Sequence, residues 1–298
     1  MVSTPARAAP SNIYDLGYRH YEGPRLGRRH AMFVLYLESL RGAFGLGRGA
    51  AAKVAPAALI FIAAIPALIQ LLVSALFPGE AEVFAHHDYY RVISFVLGLY
   101  CAAVAPDIAG RDQRNRSLTL YFSRAIERTD YALAKLAAMA SAMLLITLGP
   151  QLLLLVANGL VAEDFSTHLR DNWHLLFPIA GSALVGSALI ASMGIAIASQ
   201  TSRRAFATVG IIVAFIVPTA VARILVVGID TSATHYGVFV SPLDVLGGLS
   251  SWMFRQPTPR GGAVAVAGFE GWTYLVVALV VTAVASLLVL RRYWSVRA

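Results

Sequence analysis

The chain has 298 residues, of which 58% are hydrophobic and only 13% charged, and its mean hydropathy is +0.67. A soluble domain carries about one-quarter charged residues, so this composition indicates a protein that lies in lipid. The net charge of +8 does not indicate nucleic acid as a partner, because the basic residues lie between apolar stretches and do not form one face.

Residues 1–53 are predicted to form a cytoplasmic N-terminal segment. Residues 1–29 are polar and contain no apolar stretch of the kind found in a signal peptide. In the stretch 30–44, apolar residues recur at helical spacing, at Phe33, Leu37, Leu40 and Phe44. Glu38 and Arg41 fall on the other side. Because this stretch is too short and too charged to span a membrane, we predict an amphipathic helix lying in the cytoplasmic interface.

Residues 54–298 are predicted to form an all-α transmembrane domain of six helices. A membrane helix needs about 20 largely apolar residues to cross the ~30 Å hydrocarbon layer. The sequence contains six such stretches, at 54–77, 91–108, 130–157, 173–199, 205–228 and 272–290.

The distribution of lysine and arginine predicts the orientation. The segments 1–53, 110–135, 201–204 and 291–298 hold 19 of the 24 positive charges. Loops rich in lysine and arginine stay in the cytoplasm, and these four segments share one side only if the number of spans is even. The prediction is therefore a multi-pass protein of the cytoplasmic membrane, with both termini in the cytoplasm.

The outer segment before the sixth span, residues 229–271, contains a local helix start. Ser241 can cap the helix, Pro242 suits its first position, and Asp244 can complete a capping box. The apolar stretch 245–254 that follows is too short to cross the bilayer. It predicts a short helix that dips into the outer interface.

The fourth span carries small residues at four-residue spacing, namely Ala183, Ser187 and Ala191 on one row, with Ser182 and Gly186 beside them. Small residues at this spacing let helices approach closely. The pattern indicates ordinary helix packing or a dimer face.

Motifs for nucleotide binding and catalysis are missing from the sequence. Lys53 and Lys135 are the two lysines, and neither stands in a phosphate-binding loop, so the chain is not expected to bind ATP by this route. Zinc-protease and serine-hydrolase motifs are missing too. Cys101 is the single cysteine, which excludes an internal disulfide and a cysteine-cluster metal site.

The connection between the second and third spans is the most informative stretch of the sequence. Its charged first half borders an apolar patch formed by Leu118, Leu120, Tyr121 and Phe122. One interpretation is a positively charged loop that rests on anionic lipid headgroups. The other is a short helix whose aromatic side chains fill a groove on a soluble partner, with arginines pairing around the rim.

Seventeen residues of this stretch follow one pattern: Pro106, Asp107, Arg111, Asp112, Arg114, Arg116, Ser117, Leu118, Leu120, Ser123, Arg124, Ile126, Arg128, Asp130, Tyr131, Leu133 and Lys135. The pattern resembles the intracellular loop between spans two and three of ABC-2 type transporter permeases. The opening stretch 14–25, YDLGYRHYEGPR, is similar to the N-terminus of bacterial, especially actinobacterial, members. Ala125 departs from the pattern, since many members carry proline there.

The resemblance implies a six-span half-transporter, an exporter, with an N-terminal interfacial helix, a cytoplasmic coupling helix and short outer helices before the last span. It implies two kinds of protein partner, namely an ABC ATPase subunit that binds ATP and Mg²⁺, and a second permease copy or a paralogue. No cofactor is expected in this chain, and lipid surrounds it. The coupling-loop residues implied are Arg111, Asp112, Arg114, Arg116, Leu118, Leu120, Tyr121, Phe122, Arg124 and Arg128.

Polar residues inside the spans are candidates for a transport pathway. Arg223 lies five residues from the outer end of the fifth predicted span, roughly 7.5 Å at 1.5 Å per residue. It either extends to the outer headgroups or contacts a pathway. Gln70, Gln151 and Asn158 are weaker candidates, and interhelical hydrogen bonds are their alternative role.

Histidines are concentrated in the predicted outer segments, at His86, His87, His168 and His235, with Asp88 beside the first pair. They lack the i, i+4 spacing of a helical metal site, so solvated loop positions are expected and a metal site is not.

Two other functional classes stay open at this point. A membrane enzyme acting on lipid should show clustered acids or histidines at one membrane face, whereas Asp107, Asp112 and Asp130 form no D-x-x-D cluster. A scaffold without transport activity would lack an associated ATPase. The sequence does not specify a transported substrate.

Overall fold

The computed structural model describes residues 23, 26–77, 84–115, 117–123, 126–161, 164–229, 231–258 and 260–295. Within these ranges the chain is helical, without a β-strand. The helices are α1 Gly27–Ala43, α2 Ala50–Leu76, α3 Tyr89–Arg114, α4 Leu118–Phe122, α5 Arg128–Val161, α6 Phe165–Asn172, α7 Leu176–Ser199, α8 Arg204–Arg223, α9 Pro242–Met253, α10 Ala263–Ala267 and α11 Gly271–Trp294. A 3₁₀ turn, Trp173–Leu175, joins α6 to α7, a π-helix, Ile224–Ile229, extends α8, and a second 3₁₀ segment, Thr234–Val240, precedes α9.

Six helical segments of the described chain are long and apolar enough to cross a membrane. They are Ala50–Val73, Tyr89–Arg114, Arg128–Leu160, Phe165–Ser199, Arg204–Ile229 and Gly271–Trp294. The prediction of an all-α fold with six spanning helices is therefore confirmed at the level of length and composition.

The largest differences from the predicted boundaries are at α3 and before α7. The third helix continues six residues beyond position 108, so the first part of the predicted loop is helical. Its last turn contains Arg111 and Arg114, whose positive charges complement the C-terminal end of a helix dipole. The segment leading into α7 starts at Phe165, since Asp164 caps α6 by accepting a hydrogen bond from the Ser166 amide. The boundaries predicted from apolar content therefore lie inside longer helical segments, Tyr89–Arg114 and Phe165–Ser199.

The core is formed by α3, α5 and α7. The most apolar window of α3 is 61% buried, against 22% for α8 and for α11. Tyrosines fill much of this core, and Tyr89, Tyr90, Tyr100, Tyr131, Tyr274 and Tyr293 are all fully buried. The outward faces of α2, α8 and α11 expose leucine, valine and phenylalanine side chains, as contact with lipid requires.

The small residues of α7 lie inside this bundle. Ser182, Ala183, Gly186, Ser187 and Ala191 are all buried. A Cβ atom on Gly186 would lie 2.9 Å from Leu246 Cδ2. The predicted close packing is confirmed, and it lies within one chain. The dimer-face alternative does not fit these buried positions.

The first helix, α1, packs mainly against α5 and also contacts α3. Its buried residues are Leu35, Ser39 and Ala43, one helical turn apart. Phe33 and Leu37, which the apolar periodicity singled out, are exposed. Two small residues in the buried row let α1 lie close to α5, which apolarity alone does not reveal. The position of α1 in the lipid interface stays a prediction.

The outer helix α9 begins where the sequence predicted. The Ser241 hydroxyl accepts a hydrogen bond from the Asp244 backbone amide at 3.2 Å, and Pro242 is the first helical residue. Carboxylate atom Oδ2 of Asp244 has no hydrogen-bond partner among the described residues. The serine cap is therefore confirmed, and this oxygen takes no part in a capping box.

Candidate functional site at the α3–α5 connection

A single short helix, α4, connects the second and third spans. The chain leaves α3 through a turn in which the Ser117 amide and hydroxyl both donate to the Asp112 carbonyl, at 3.0 and 3.3 Å. Within α4, Leu118 is buried at 7% exposure and Leu120 is 67% exposed. The helix therefore has one side chain fixed in the protein and another that projects outward.

Asp112 is the centre of a buried polar cluster that joins α3 to α5. The Tyr131 hydroxyl donates to Asp112 Oδ2 at 2.6 Å, and the Lys135 ammonium lies 2.8 Å from the same oxygen. Lys135 itself is only 5% exposed. A buried lysine requires a paired anion, because an isolated ammonium is costly to remove from water. This pair fixes the end of α3 against the first turns of α5.

Aromatic rings surround Tyr131 and extend the cluster to α4 and α11. The ring centroids of Tyr121 and Phe122 lie 5.7 and 5.8 Å from that of Tyr131, and Tyr293 lies 5.0 Å away. The Tyr293 hydroxyl donates to the Ala109 carbonyl of α3 at 3.4 Å. Burial, and secondly the Asp112 carboxylate, raise the pKa of Tyr121, so its phenol stays neutral. The two aromatic residues of α4 are thus partly packed against Tyr131 of α5.

Ion pairs tie the start of α1 to the same connection, and a hydrogen bond ties the end of α11 to it. The Arg28 guanidinium contacts both carboxylate oxygens of Asp130, at 2.6 and 2.8 Å, and also binds Glu127. Arg128 donates to the Trp294 carbonyl at 2.8 Å, and its guanidinium lies 5.6 Å from the Phe122 ring centroid. The start of α1 and the end of α11 are therefore joined to the residues that begin α5, directly after α4 in the chain.

Asp107 forms a second acidic centre five residues before Asp112 on α3. It accepts from Arg48 at 2.8 Å and lies 3.3 Å from an Arg204 nitrogen. Nearby, Gln113 and Arg292 both donate to the Ser199 carbonyl, at 3.0 and 3.1 Å. These hydrogen bonds provide partners for a carbonyl at the C-terminal end of α7, where backbone carbonyls have no partner within the helix. They also place the turn between α7 and α8 beside the α3–α5 connection.

The predicted coupling-loop residues divide into three groups. Arg111, Arg114 and Leu120 are exposed, Tyr121, Phe122 and Arg128 are half-buried, and Asp112 and Leu118 are buried. Arg116 and Arg124 lie outside the described residues. The outward surface of the connection is therefore formed by two arginines and a leucine more than by the aromatic residues.

Several contributors to this site were not predicted to have a role in it. Tyr131 and Lys135 belong to the sequence pattern quoted above, and their four-residue separation already places them on one face of a helix. Asp107 was recognised only as part of that pattern. Arg28, Arg48 and Tyr293 gave no signal, since their partners are 59 or more residues away in sequence.

The four pathway candidates do not form one site. Gln151 is fully buried, and neither its amide nitrogen nor its oxygen has a hydrogen-bond partner among the described residues. Gln70 is buried and accepts from the Phe84 amide at 3.2 Å. Arg223 lines a cavity of about 230 Å³ with Asp88, Arg91 and Asp244. In this cavity burial raises the pKa of Asp244, against the opposing effects of Ser241 and Arg223.

Asn158, the fourth candidate, lines a different cavity of about 410 Å³, here called the histidine cavity. Its polar lining consists of His86, His87, Asn158, His168, Asn172 and Gln256. His86 is only 6% exposed, so the expectation of a solvated loop position is wrong for this residue. It is buried because its ring stacks on Phe254, a contact 168 residues away that no local pattern indicates. Among the described residues, no group of three or more His, Cys, Asp or Glu could hold a metal ion.

Compared with models of known protein families and with curated proteins, the chain matches none.

Proposed function

We propose that this chain is the membrane-spanning permease subunit of an ABC-2 type transporter in the cytoplasmic membrane, and that the transporter is an exporter. Two six-span copies, or one copy and a paralogue, form the pathway. Separate ATPase subunits bind ATP and Mg²⁺ and contact the α3–α5 connection from the cytoplasm.

The observation that carries this proposal is the attachment of α4. A coupling element has to be rigidly joined to the spans it moves. In α4, Tyr121 and Phe122 pack on Tyr131 of α5. Asp112 of α3 binds Tyr131 and Lys135 through buried, charge-assisted contacts of 2.6 and 2.8 Å. Force applied to α4 would therefore be transmitted to α3 and α5 together.

The exposed residues of the connection supply the contact surface. Leu120 is an exposed apolar residue of α4, and Arg111 and Arg114 are exposed on the last turn of α3, which precedes α4 in the chain. Exposed apolar residues accompanied by arginines are the composition expected where a small helix docks into a groove on a protein. ATP-driven closure of the ATPases would press on this surface and change the access of the pathway.

The test is co-purification with an ABC ATPase encoded beside this chain, comparing wild type with Leu120→Asp. We expect this variant to reduce ATPase recovery at least tenfold, because a buried, unpaired carboxylate costs well over ~1.4 kcal/mol at an interface. Leu169→Asp is the matched control, since Leu169 is 39% exposed on α6, away from α4. It should leave recovery unchanged.

Two outcomes would contradict the proposal. One is recovery of the purified chain without any nucleotide-binding subunit under conditions that keep it folded. The other is a stable ATPase complex whose recovery and hydrolysis do not respond to Leu120→Asp. A complex that never hydrolyses ATP would instead favour a scaffold.

A further inference from the structure

The histidine cavity lies at the end of the bundle opposite α4, between the residues preceding α3, the end of α5 and the end of α9. Its volume of about 410 Å³ falls in the range of small-molecule sites, ~300–1,000 Å³. Nothing in the proposed coupling at α4 accounts for its lining.

His86 lines this cavity, and both of its ring nitrogens are buried. The residue is 6% exposed, and neither Nδ1 nor Nε2 has a hydrogen-bond partner among the described residues. Burial, and secondly the neighbouring His87, lower the pKa of His86 to about 4, so the ring is neutral near pH 7. A neutral imidazole offers one donor and one acceptor. Stacking on Phe254, with ring centroids 6.0 Å apart and planes inclined by 9°, fixes the plane in which they point.

His168 adds a buried donor. The Asn172 amide nitrogen lies 3.3 Å from His168 Nδ1 and 3.0 Å from the His168 carbonyl. Since the amide nitrogen is a donor, this contact is a hydrogen bond in the tautomer whose Nδ1 accepts and whose Nε2 carries the proton. That Nε2 atom is buried without a hydrogen-bond partner among the described residues. Buried polar groups in folded proteins are almost always paired, with protein groups, water or a ligand, so these three ring nitrogens of His86 and His168 require partners.

The rest of the lining indicates what this ligand is. Side-chain amides of Asn158, Asn172 and Gln256 contribute, and each amide carries donors and an acceptor. None of the ten described lining residues is Lys, Arg, Asp or Glu, so the lining has no permanently charged side chain to balance an ionic ligand. Hydroxyl groups both donate and accept, which matches neutral imidazoles and amides, and the Phe254 ring offers an apolar surface for the C–H face of a sugar.

We infer that the histidine cavity binds a neutral, hydroxyl-rich group, a sugar or polyol, either free in solution or as the headgroup of a lipid. Hydrogen bonds from its hydroxyls to His86 and His168 would replace the missing partners. This inference does not depend on an ATPase partner.

The test uses the full chain in nanodiscs of phosphatidylcholine, prepared in a detergent without a sugar headgroup. Binding of trehalose is measured by saturation-transfer NMR, and retention of digalactosyldiacylglycerol is measured by native mass spectrometry. We expect saturable binding in at least one arm. His86→Phe, which keeps a ring beside Phe254, should weaken it at least tenfold, and His168→Phe should do the same. His235→Phe is the matched control, because His235 does not line the cavity.

A measurement on the wild type guards against variants that fail to fold. With histidine side chains labelled with ¹⁵N, addition of the bound sugar should shift the His86 and His168 resonances and leave His235 in place. Binding of trehalose indicates a free sugar, and retention of the glycolipid alone indicates a lipid-linked one. The inference is overturned by the absence of saturable binding in both arms. It is equally overturned by binding that survives both substitutions or shifts neither histidine.

Discussion

The ion pair between Asp112 and Lys135 has side chains that are 12% and 7% exposed. Removing one partner of such a pair leaves the other charge buried and uncompensated, which costs about 3–5 kcal/mol. We therefore expect Asp112→Asn to lower the free energy of unfolding by this amount. Adding Lys135→Met should recover much of the loss, since the double variant buries no charge. Chemical denaturation in mixed micelles measures both.

The control for this pair is Arg91→Gln. Arg91 pairs with Asp88 at 3.1 Å, but its side chain is 64% exposed, and exposed pairs contribute about 0–1 kcal/mol. If Asp112→Asn is as mild as Arg91→Gln, or if the double variant is no more stable than the single one, the cluster does not hold α3 against α5.

At the residue scale, the sequence predicts residue types and local spacing better than partners. Tyr131 and Lys135 are one helical turn apart, so their common face is readable. Asp107, Asp112 and Asp130 look alike in sequence, yet each has different partners. Asp107 binds Arg48 and Arg204. Asp112 binds Lys135 and Tyr131, and Asp130 binds Arg28. These choices depend on the register between helices far apart in the chain. His86 was missed for the same reason, because its burial depends on Phe254.

Among the helices, α9 shows how a locally specified element becomes fixed by distant contacts. Its start follows from Ser241 and Pro242, which are adjacent in sequence and therefore predictable. Its close position against α11 depends on Gly248, because a Cβ atom there would lie only 2.7 Å from the Tyr274 ring of α11. Only close approach of the two helices makes this glycine necessary, and that approach is not visible in the sequence.

The neighbouring glycines of α9 provide a matched test. Gly248→Ala should force Tyr274 and α11 away, and such overpacking costs about 1–3 kcal/mol. Gly247→Ala meets no atom within 4 Å, and alanine in a helix interior is favoured over glycine by about 0.8–1 kcal/mol. We expect a lower thermal midpoint for Gly248→Ala and an equal or higher one for Gly247→Ala, each measured by fluorescence-detected unfolding. Equal midpoints would mean that α9 does not pack tightly on α11.

The short helix α4 shows the limit of pattern reading at this scale. The apolar patch is helical, as one of the two interpretations of the sequence predicted, but the pattern could not assign its faces, because five residues make little more than one turn. Leu118 is buried and Leu120 is exposed. The helix is held by contacts of Tyr121 and Phe122 with Tyr131, which lies on another helix, α5.

In the whole molecule, the segments rich in positive charge meet at one end of the bundle. Arg28 binds Asp130, Arg204 lies beside Asp107, and Arg128 binds the Trp294 carbonyl. The start of α1, the α3–α5 connection, the α7–α8 turn and the end of α11 are thus neighbours. This grouping of loops is what an even number of spans requires, and the sequence predicted it from charge alone. Which end faces the cytoplasm rests on the positive-inside rule.

Cysteine labelling tests that orientation. Cys101, the single cysteine, is buried and is first replaced by alanine. Ser202→Cys and Ser295→Cys then mark the α4 end, and Arg170→Cys and Gln256→Cys mark the other, all at exposed positions. In intact cells, a membrane-impermeant maleimide should label positions 170 and 256 at once, and positions 202 and 295 only after permeabilisation.

The labelling result decides more than topology, because the two proposed sites lie at opposite ends. The predicted orientation places Leu120 and the exposed arginines of α3 in the cytoplasm, where a soluble ATPase can reach them. The reverse pattern would expose α4 outside the cell, away from any ATP, and would remove the coupling role while leaving the histidine cavity able to bind sugar from the inner side. A mixed pattern, with positions 202 and 295 on different sides, would contradict the even number of spans itself.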